Sequence, residues 1–145
     1  GEKAYLSAIL DLKSRDIVSF AIGKHNNNQL VFDTFDLAIR KYPDTHPLFH
    51  SDRGFQYTSQ QFKARLDKQK MTQSMSRVGR CIDNGPMEGF WGILKCEMYY
   101  LNHFETYEEL VRAVEQFIHY YNTQRRQHRL DCQTPASYRS LLEAA

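Results

Sequence analysis

The feature that most constrains how this chain can fold is a pair of carboxylates set on two different kinds of backbone. Asp52 follows the short apolar run Pro47 to His50, and Glu88 lies just after Pro86 at the head of a stretch rich in apolar residues, with thirty-five residues between the two acids. A strand-end aspartate and a helix-start glutamate can share one ligand only if the intervening chain returns to the first strand. The gap is long enough for a helix, a second strand and a loop. Lys95 follows Glu88 by seven residues, about two helical turns, so on a helix the two side chains point the same way. Each residue taken singly has a plainer reading. Asp52-Arg53-Gly54 is good turn chemistry, Glu88 is an acid that a helix dipole favours near its N-terminus, and Lys95 could be a surface lysine paired with a nearby acid.

The periodicity around these residues gives an α/β order. Tyr5 to Leu12 and Ile17 to Ile22 are apolar runs separated by the polar turn Lys13-Ser14-Arg15-Asp16, a hairpin pattern. From Gln29, residues Val31, Phe35, Ala38 and Ile39 fall at helical spacing, and that helix stops before Pro43. Pro47 to His50 reads as a short buried strand. Thr58 or Ser59 caps a second helix carrying Phe62 and Leu66, and Met71 to Met75 reads as another short strand. Ser76 to Asp83, with Arg77, Gly79 and Arg80, has little periodicity and reads as a mobile loop beside the acids. Its arginines either contact phosphate or are simply solvated. Asn84 is a good N-cap and Pro86 fits the first turn of the helix bearing Glu88, with Phe90, Trp91, Leu94 and Met98 as its apolar side. Thr106-Tyr107-Glu108-Glu109 is a capping box that opens a long helix to about Tyr121, and a last helix starts near Pro135. Strands followed by helices around a mixed sheet make an α/β domain.

The 145 residues, 41% of them hydrophobic and 25% charged, suit a single domain spanning 1–145, with a C-terminal helical part at about 106–142. No apolar run approaches the roughly 20 residues that span a bilayer, and the N-terminus has no signal pattern. Cys81, Cys96 and Cys132 are odd in number and contain no C-x-x-C pair, which suits a reducing cytoplasm and argues against a disulfide framework or a zinc site. A formal charge of +2 is too small to indicate a nucleic-acid partner by itself. Arg125, Arg126 and Arg129 do gather with His128 after the long helix, although such a cluster is often only a solvated surface.

The letters around the acids carry a more specific signal. His50-Ser51-Asp52-Arg53-Gly54, followed by Gln56-Tyr57-Thr58-Ser59, resembles the HSDxGxQYxS signature of insertion-sequence DDE transposases (OrfB type), relatives of retroviral integrases. Asp83, Asn84, Glu88, Phe90, Trp91, Leu94, Lys95 and Glu97 match that family's DNAxxExFWxxLKxE run, with Gly85 in place of its alanine. Leu10-Asp11-Leu12-Lys13-Ser14-Arg15 resembles the family's second-strand run. Tyr121-Asn122, Arg125, His128 and Thr134-Pro135-Ala136-Ser137-Tyr138 resemble its closing YN…TPxxY pattern. The resemblance implies an RNase H-like integrase core, a mixed sheet flanked by helices, in a bacterial cytoplasmic enzyme that acts on DNA as a homo-oligomer. It makes Asp52 the second catalytic acid and Glu88 the third, both ligands for Mg2+, with Mn2+ as the alternative ion. Lys95 then contacts the DNA end, with Arg77, Arg80, Arg125 and Arg126 as further candidate phosphate contacts. Carboxylates on rigid elements are suitable for a two-metal clamp on an in-line phosphoryl transfer. Trp91 and Tyr57 read as packing residues, His50 as a structural neighbour of Asp52, and Asn84 as a cap.

The first acid of the triad has no counterpart. The family carries it in a Thr-Asp strand just before a segment like Gly1 to Leu12, and Gly1 to Tyr5 offers none. Asp11 belongs to the second-strand run and Asp16 to a turn, so neither is a substitute. The expectation is a core lacking its first strand, an excised or truncated unit with little or no strand transfer of its own. Two other readings stand beside it. One is a non-catalytic DNA-binding remnant; the other is an RNase H-like nuclease with different substrates, against which Lys95 and the closing motif argue by analogy.

Overall fold

A computed structural model describes residues 3–51, 55–75 and 85–144 of the chain. Strands β1 (Tyr5–Leu10) and β2 (Ile17–Gly23) form an antiparallel hairpin, paired from Tyr5 opposite Gly23 to Ile9 opposite Ser19, with a register shift that sets Leu10 opposite Ile17. Asp11 shapes the turn: its carboxylate accepts the N–H groups of Lys13 at 2.8 Å and Ser14 at 3.1 Å. Arg15 takes the left-handed conformation there, with φ of 65°. Side-chain-to-backbone bonding of this kind is why aspartate favours turns.

Helix α1 (Asn28–Lys41) is capped by Asn27, whose side chain accepts the Leu30 N–H at 3.1 Å. It ends at Lys41, close ahead of Pro43, whose ring disfavours helical backbone before it. Strand β3 (Leu48–Ser51) is followed by a single turn, α2 (Phe55–Thr58), and by α3 (Gln60–Lys68), capped by Ser59 through the Phe62 N–H at 3.2 Å. Strand β4 (Thr72–Met75) then pairs parallel with β3. Helix α4 (Gly85–Leu94) runs without a break into a π-helical turn, Lys95–Tyr99. Helix α5 (Tyr107–Thr123) is capped by Thr106 through the Glu109 N–H at 3.1 Å. A 3-10 turn (His128–Leu130) leads to α6 (Pro135–Ala144), which has proline at its first position and Thr134 accepting the Ser137 N–H at 3.1 Å.

The α/β class and the helical flanks are as the sequence led us to expect. The strands are divided, among the described residues, into an antiparallel ladder, β1–β2, and a parallel one, β3–β4. The short turn α2 and the π-helical turn were not foreseen. The expected loop over 76–83 and the cap at Asn84 lie outside the described residues.

Two apolar cores sandwich the hairpin. Side chains alternate across a strand, so Leu6, Ala8 and Leu10 of β1 pack on a core of α4 and α5 that includes Phe90, Leu94, Ile118 and Tyr121. Ile9 turns to the other face, toward Phe35 of α1 and Phe62 and Leu66 of α3. Phe62 is fully buried and meets Phe35, Phe49 and Tyr57 edge-on, with ring centroids 5.3–5.5 Å apart. Tyr57 therefore packs, as its place near the second helix suggested. Among the described residues no helix is long and apolar enough to cross a membrane.

Candidate active site

Glu88 occupies the first turn of α4. Phe90, Leu94 and Met98 repeat every four residues and are buried, which fixes the helix face that meets the core. Glu88 and Lys95 are exposed. Trp91 is partly buried and packs on Phe90, with ring centroids 5.3 Å apart, in agreement with a packing role. Glu88 has no ion-pair or hydrogen-bond partner among the described residues. The helix N-terminus already favours its negative charge, and its oxygens remain available.

At Lys95 the backbone changes from α- to π-helical, and the Lys95 carbonyl accepts the Tyr100 N–H at 2.8 Å. A π turn carries one more residue than an α turn and redirects the side chains that follow it. Glu97 thereby meets the end of α5. Its carboxylate accepts Nε of Arg125 at 2.9 and 3.0 Å and Nη2 at 2.6 Å. Arg125, read from the sequence as a candidate DNA contact, has its fork committed to this pair. Arg126 is exposed and reaches the Cys132 carbonyl at 3.4 Å.

The end of β3 is held from its neighbours. Ser51 is buried, and Gln73 of β4 donates to the Ser51 hydroxyl at 3.3 Å and to the Tyr57 carbonyl at 2.8 Å. The Gln73 amide thus ties the residue before position 52 to the α2 turn that follows position 54. His50 lies opposite Ser74 and the two side chains are 3.1 Å apart, a cross-strand contact. Asp52, Arg77, Arg80, Asp83 and Asn84 lie outside the described residues. Among the described residues, no three carboxylate, histidine or cysteine groups converge as a metal site would require.

The two early acids have other work. Arg139 of α6 donates to Asp16 at 3.0–3.1 Å and to Asp11 at 2.8 Å. The Ser14 hydroxyl also bonds Asp16, which is only 4% exposed. The Arg139 guanidinium stacks on Tyr42 with 4.6 Å to the ring centroid. Burial works against the Asp11 carboxylate, but the Ser14 and Lys13 N–H groups and the Arg139 charge outweigh it and leave its pKa below the ordinary value. Both aspartates are thus engaged by Arg139 within the fold.

Sequence reasoning did not foresee how the closing motif is used. The Asn122 amide accepts the Ile17 N–H at 2.8 Å and donates to the Ile17 carbonyl at 3.0 Å, pairing with the edge of β2 as a neighbouring strand would. Tyr121 meets Phe90 edge-on at 5.0 Å. The resemblance marked these letters as a motif, and nothing local to them reveals partners 105 residues away.

Comparison with known proteins agrees with this geometry. Two family descriptions, both of the integrase core domain, match residues 1–81 and 88–141. The chain is 38% identical over 141 residues to the Escherichia coli protein named "Putative transposase InsK for insertion sequence element IS150", covering 97% of this chain and 50% of that protein. It is 36% identical over 136 residues to the transposase for insertion sequence element IS904 of Lactococcus lactis, covering 92% of this chain and 54% of that one. The chain thus spans about half the length of these curated relatives. Among solved structures, the HTLV-2 integrase catalytic core domain, in a trimeric form in complex with magnesium, superposes with a TM-score of 0.69 over 89% of this chain and 80% of that one. At 18% identity that likeness speaks for the fold, the RNase H-like core of retroviral integrases. With the family description covering residues 1–81 and the second covering the helices that follow, the chain belongs to the integrase core domain family.

Proposed function

We propose that this chain is the catalytic core of a bacterial insertion-sequence transposase, acting on the DNA of the element's ends and of the target. Glu88 is the observation that carries the reading: an exposed carboxylate without a partner among the described residues, in the first turn of a helix that carries Lys95 about two turns later. Such a carboxylate is a hard oxygen donor of the kind Mg2+ and Mn2+ prefer, so the residue fits the ion that the resemblance implies. Asp52, just past the end of β3, is its partner in this reading. Asp52 and Glu88 would hold divalent cations there, and those ions would supply the charge that activates an oxygen nucleophile and stabilises the leaving oxygen. Lys95, with Arg126, Arg77 and Arg80, neutralises phosphate and orients the DNA end for attack. The reaction class is hydrolysis at the element's end, then in-line attack of the freed 3′ hydroxyl on a target phosphodiester. Because two ends are joined together, the working form is a homo-oligomer.

With Asp11 and Asp16 committed to Arg139, the chain brings two acids to this reading, and we expect little or no strand transfer from it alone. The same commitment favours a second reading, DNA binding without catalysis. The test pairs Mn2+-induced broadening of the α4 amide NMR signals with DNA binding across a salt series. Broadening centred on Glu88 and abolished by Asp52→Asn supports the catalytic core. No broadening, with salt-dependent DNA binding that survives Asp52→Asn, supports the second reading. Mg2+-dependent joining of element ends by the purified chain would overturn the expectation of inactivity.

A further inference from the structure

We infer that Tyr121, Asn122 and Arg125 form a three-point brace fixing the catalytic helix to the sheet, and that Arg125 is a positioning residue for Lys95 in place of a DNA contact. The inference rests on the reading of Lys95 as a phosphate contact. Three side chains within five residues at the end of α5 reach three different elements. Tyr121, 2% exposed, packs its ring on Phe90 of α4. Asn122 pairs by both amide atoms with the Ile17 main chain of β2. Arg125 forks onto Glu97, two residues after Lys95 and inside the π turn.

The geometry explains why the turn needs holding. Such π turns are rare, and they are frequent at functional sites. Here the turn starts at Lys95 itself, so any drift of the segment moves the base of that side chain. A fork-on-carboxylate pair fixes direction as well as distance, because the guanidinium and carboxylate planes must align. Arg125 Nε and Nη2 both bond Glu97, so that edge of the fork is closed to a bidentate phosphate contact. The second anchor, Asn122 on Ile17, ties the same end of α5 to the hairpin. The position of Lys95 relative to the sheet is thus set through one short stretch of chain.

The test uses the full chain, a short fluorescein-labelled DNA duplex of arbitrary sequence, and hydrogen exchange at the Tyr100 amide, whose bond closes the π turn. Anisotropy titrations over a salt series compare wild type with Lys95→Ala, Glu97→Gln, Arg125→Gln, the Arg125→Gln/Lys95→Ala double variant and the reciprocal Glu97→Arg/Arg125→Glu exchange. The brace requires Glu97→Gln and Arg125→Gln to weaken binding by similar factors, and Lys95→Ala to add little to Arg125→Gln. The reciprocal exchange should recover most of the affinity, with Tyr100 exchange faster in both single variants and restored by the exchange. Weakening by Arg125→Gln with no loss, or a gain, from Glu97→Gln, plus an additive effect of Lys95→Ala, makes Arg125 a direct phosphate contact and overturns the inference. If Lys95→Ala leaves binding unchanged in the wild-type background, the reading of Lys95 falls, and with it the claim that Arg125 positions it. The amide then decides the brace alone: unchanged Tyr100 exchange in both single variants rejects it. Thermal melting of each variant separates these effects from loss of fold, and the reciprocal exchange keeps the test decisive if a single variant does not fold.

Discussion

Asp11 and Asp16 at the β1–β2 turn and Glu88 at the head of α4 carry the same functional group in opposite settings. The first two are enclosed: Arg139 bonds both, backbone N–H groups of the turn bond Asp11, and the Ser14 hydroxyl bonds Asp16. Glu88 is exposed and has no partner among the described residues. Each carboxylate oxygen of the two aspartates accepts a hydrogen bond, and Arg139 joins α6 to the hairpin across more than 120 residues of sequence. The glutamate's lone pairs are unused among the described residues. Within one chain, then, whether the protein has already neutralised an acid separates these carboxylates more clearly than their residue type.

Removing Arg139 tests the enclosed side most severely. Arg139→Met leaves Asp16, 4% exposed, without its cation. Taking one partner from a buried ion pair costs about 3–5 kcal/mol, because the remaining charge stays desolvated. Urea unfolding should report a loss of that size; a loss below about 1 kcal/mol, as for an exposed pair, would mean that water solvates Asp16 once the arginine is gone.

Asn122→Asp is a smaller break in the same frame of long-range ties. The aspartate can still accept the Ile17 N–H but sets a carboxylate oxygen against the Ile17 carbonyl, where the amide now donates at 3.0 Å. Loss of one donor in a part-buried pair costs about 1–3 kcal/mol, again read by urea unfolding. Asn122→Ala should cost a similar amount, while a neutral result for both would reduce the pair to a surface contact.

These ties mark the limit of what the chain's letters reveal. Element positions were readable because their causes are local: apolar alternation in Tyr5 to Leu10, helical spacing from Val31 to Ile39, and hydroxyl caps at Ser59 and Thr106. The exposed placement of Glu88 and Lys95 was readable because the apolar spacing of Phe90, Leu94 and Met98 sets the buried face of that helix. The Arg139–Asp16 pair was not, since nothing near either residue distinguishes it from other charges. Nor was the π turn, because one extra residue per turn leaves no compositional trace. Without that turn Glu97 seemed merely to face away from Lys95, and the partner that occupies Arg125 stayed hidden. Asp52 entered as a candidate only through its neighbours in the motif.

A pH titration sharpens the contrast more gently. Burial raises the Asp11 pKa, but the Ser14 and Lys13 N–H groups and Arg139 outweigh it, so the folded value lies below the ordinary 3.8. The unfolded chain therefore binds the proton more readily, and Asp11 contributes stability that is present above 3.8 and lost as the pH falls through its folded value. Unfolding free energies measured across that acid window should decline with falling pH, and Asp11→Asn should flatten the decline. An unchanged slope would place the acid sensitivity in other carboxylates.

Glu88→Gln should have the smallest effect on folding and the most specific effect on ligand response. The side chain is exposed and has no partner among the described residues, so its loss removes only a helix-end charge effect of about 0.3–1 kcal/mol. If Asp52 lies close by, as the proposed site requires, relief of repulsion between two like charges offsets even that, and the metal-free melting temperature should stay nearly unchanged. Mg2+ that binds only the folded chain must raise the melting temperature in proportion to site occupancy. The wild type should therefore be stabilised by Mg2+ and Glu88→Gln should not, while Asp11→Asn keeps the full response. A Mg2+ response that survives Glu88→Gln and disappears with Asp11→Asn would invert the comparison, making the enclosed acids the metal ligands and Glu88 the bystander. The bonds that Arg139 makes to both aspartates argue against that outcome, because a cation entering there would have to displace a guanidinium already held by four hydrogen bonds.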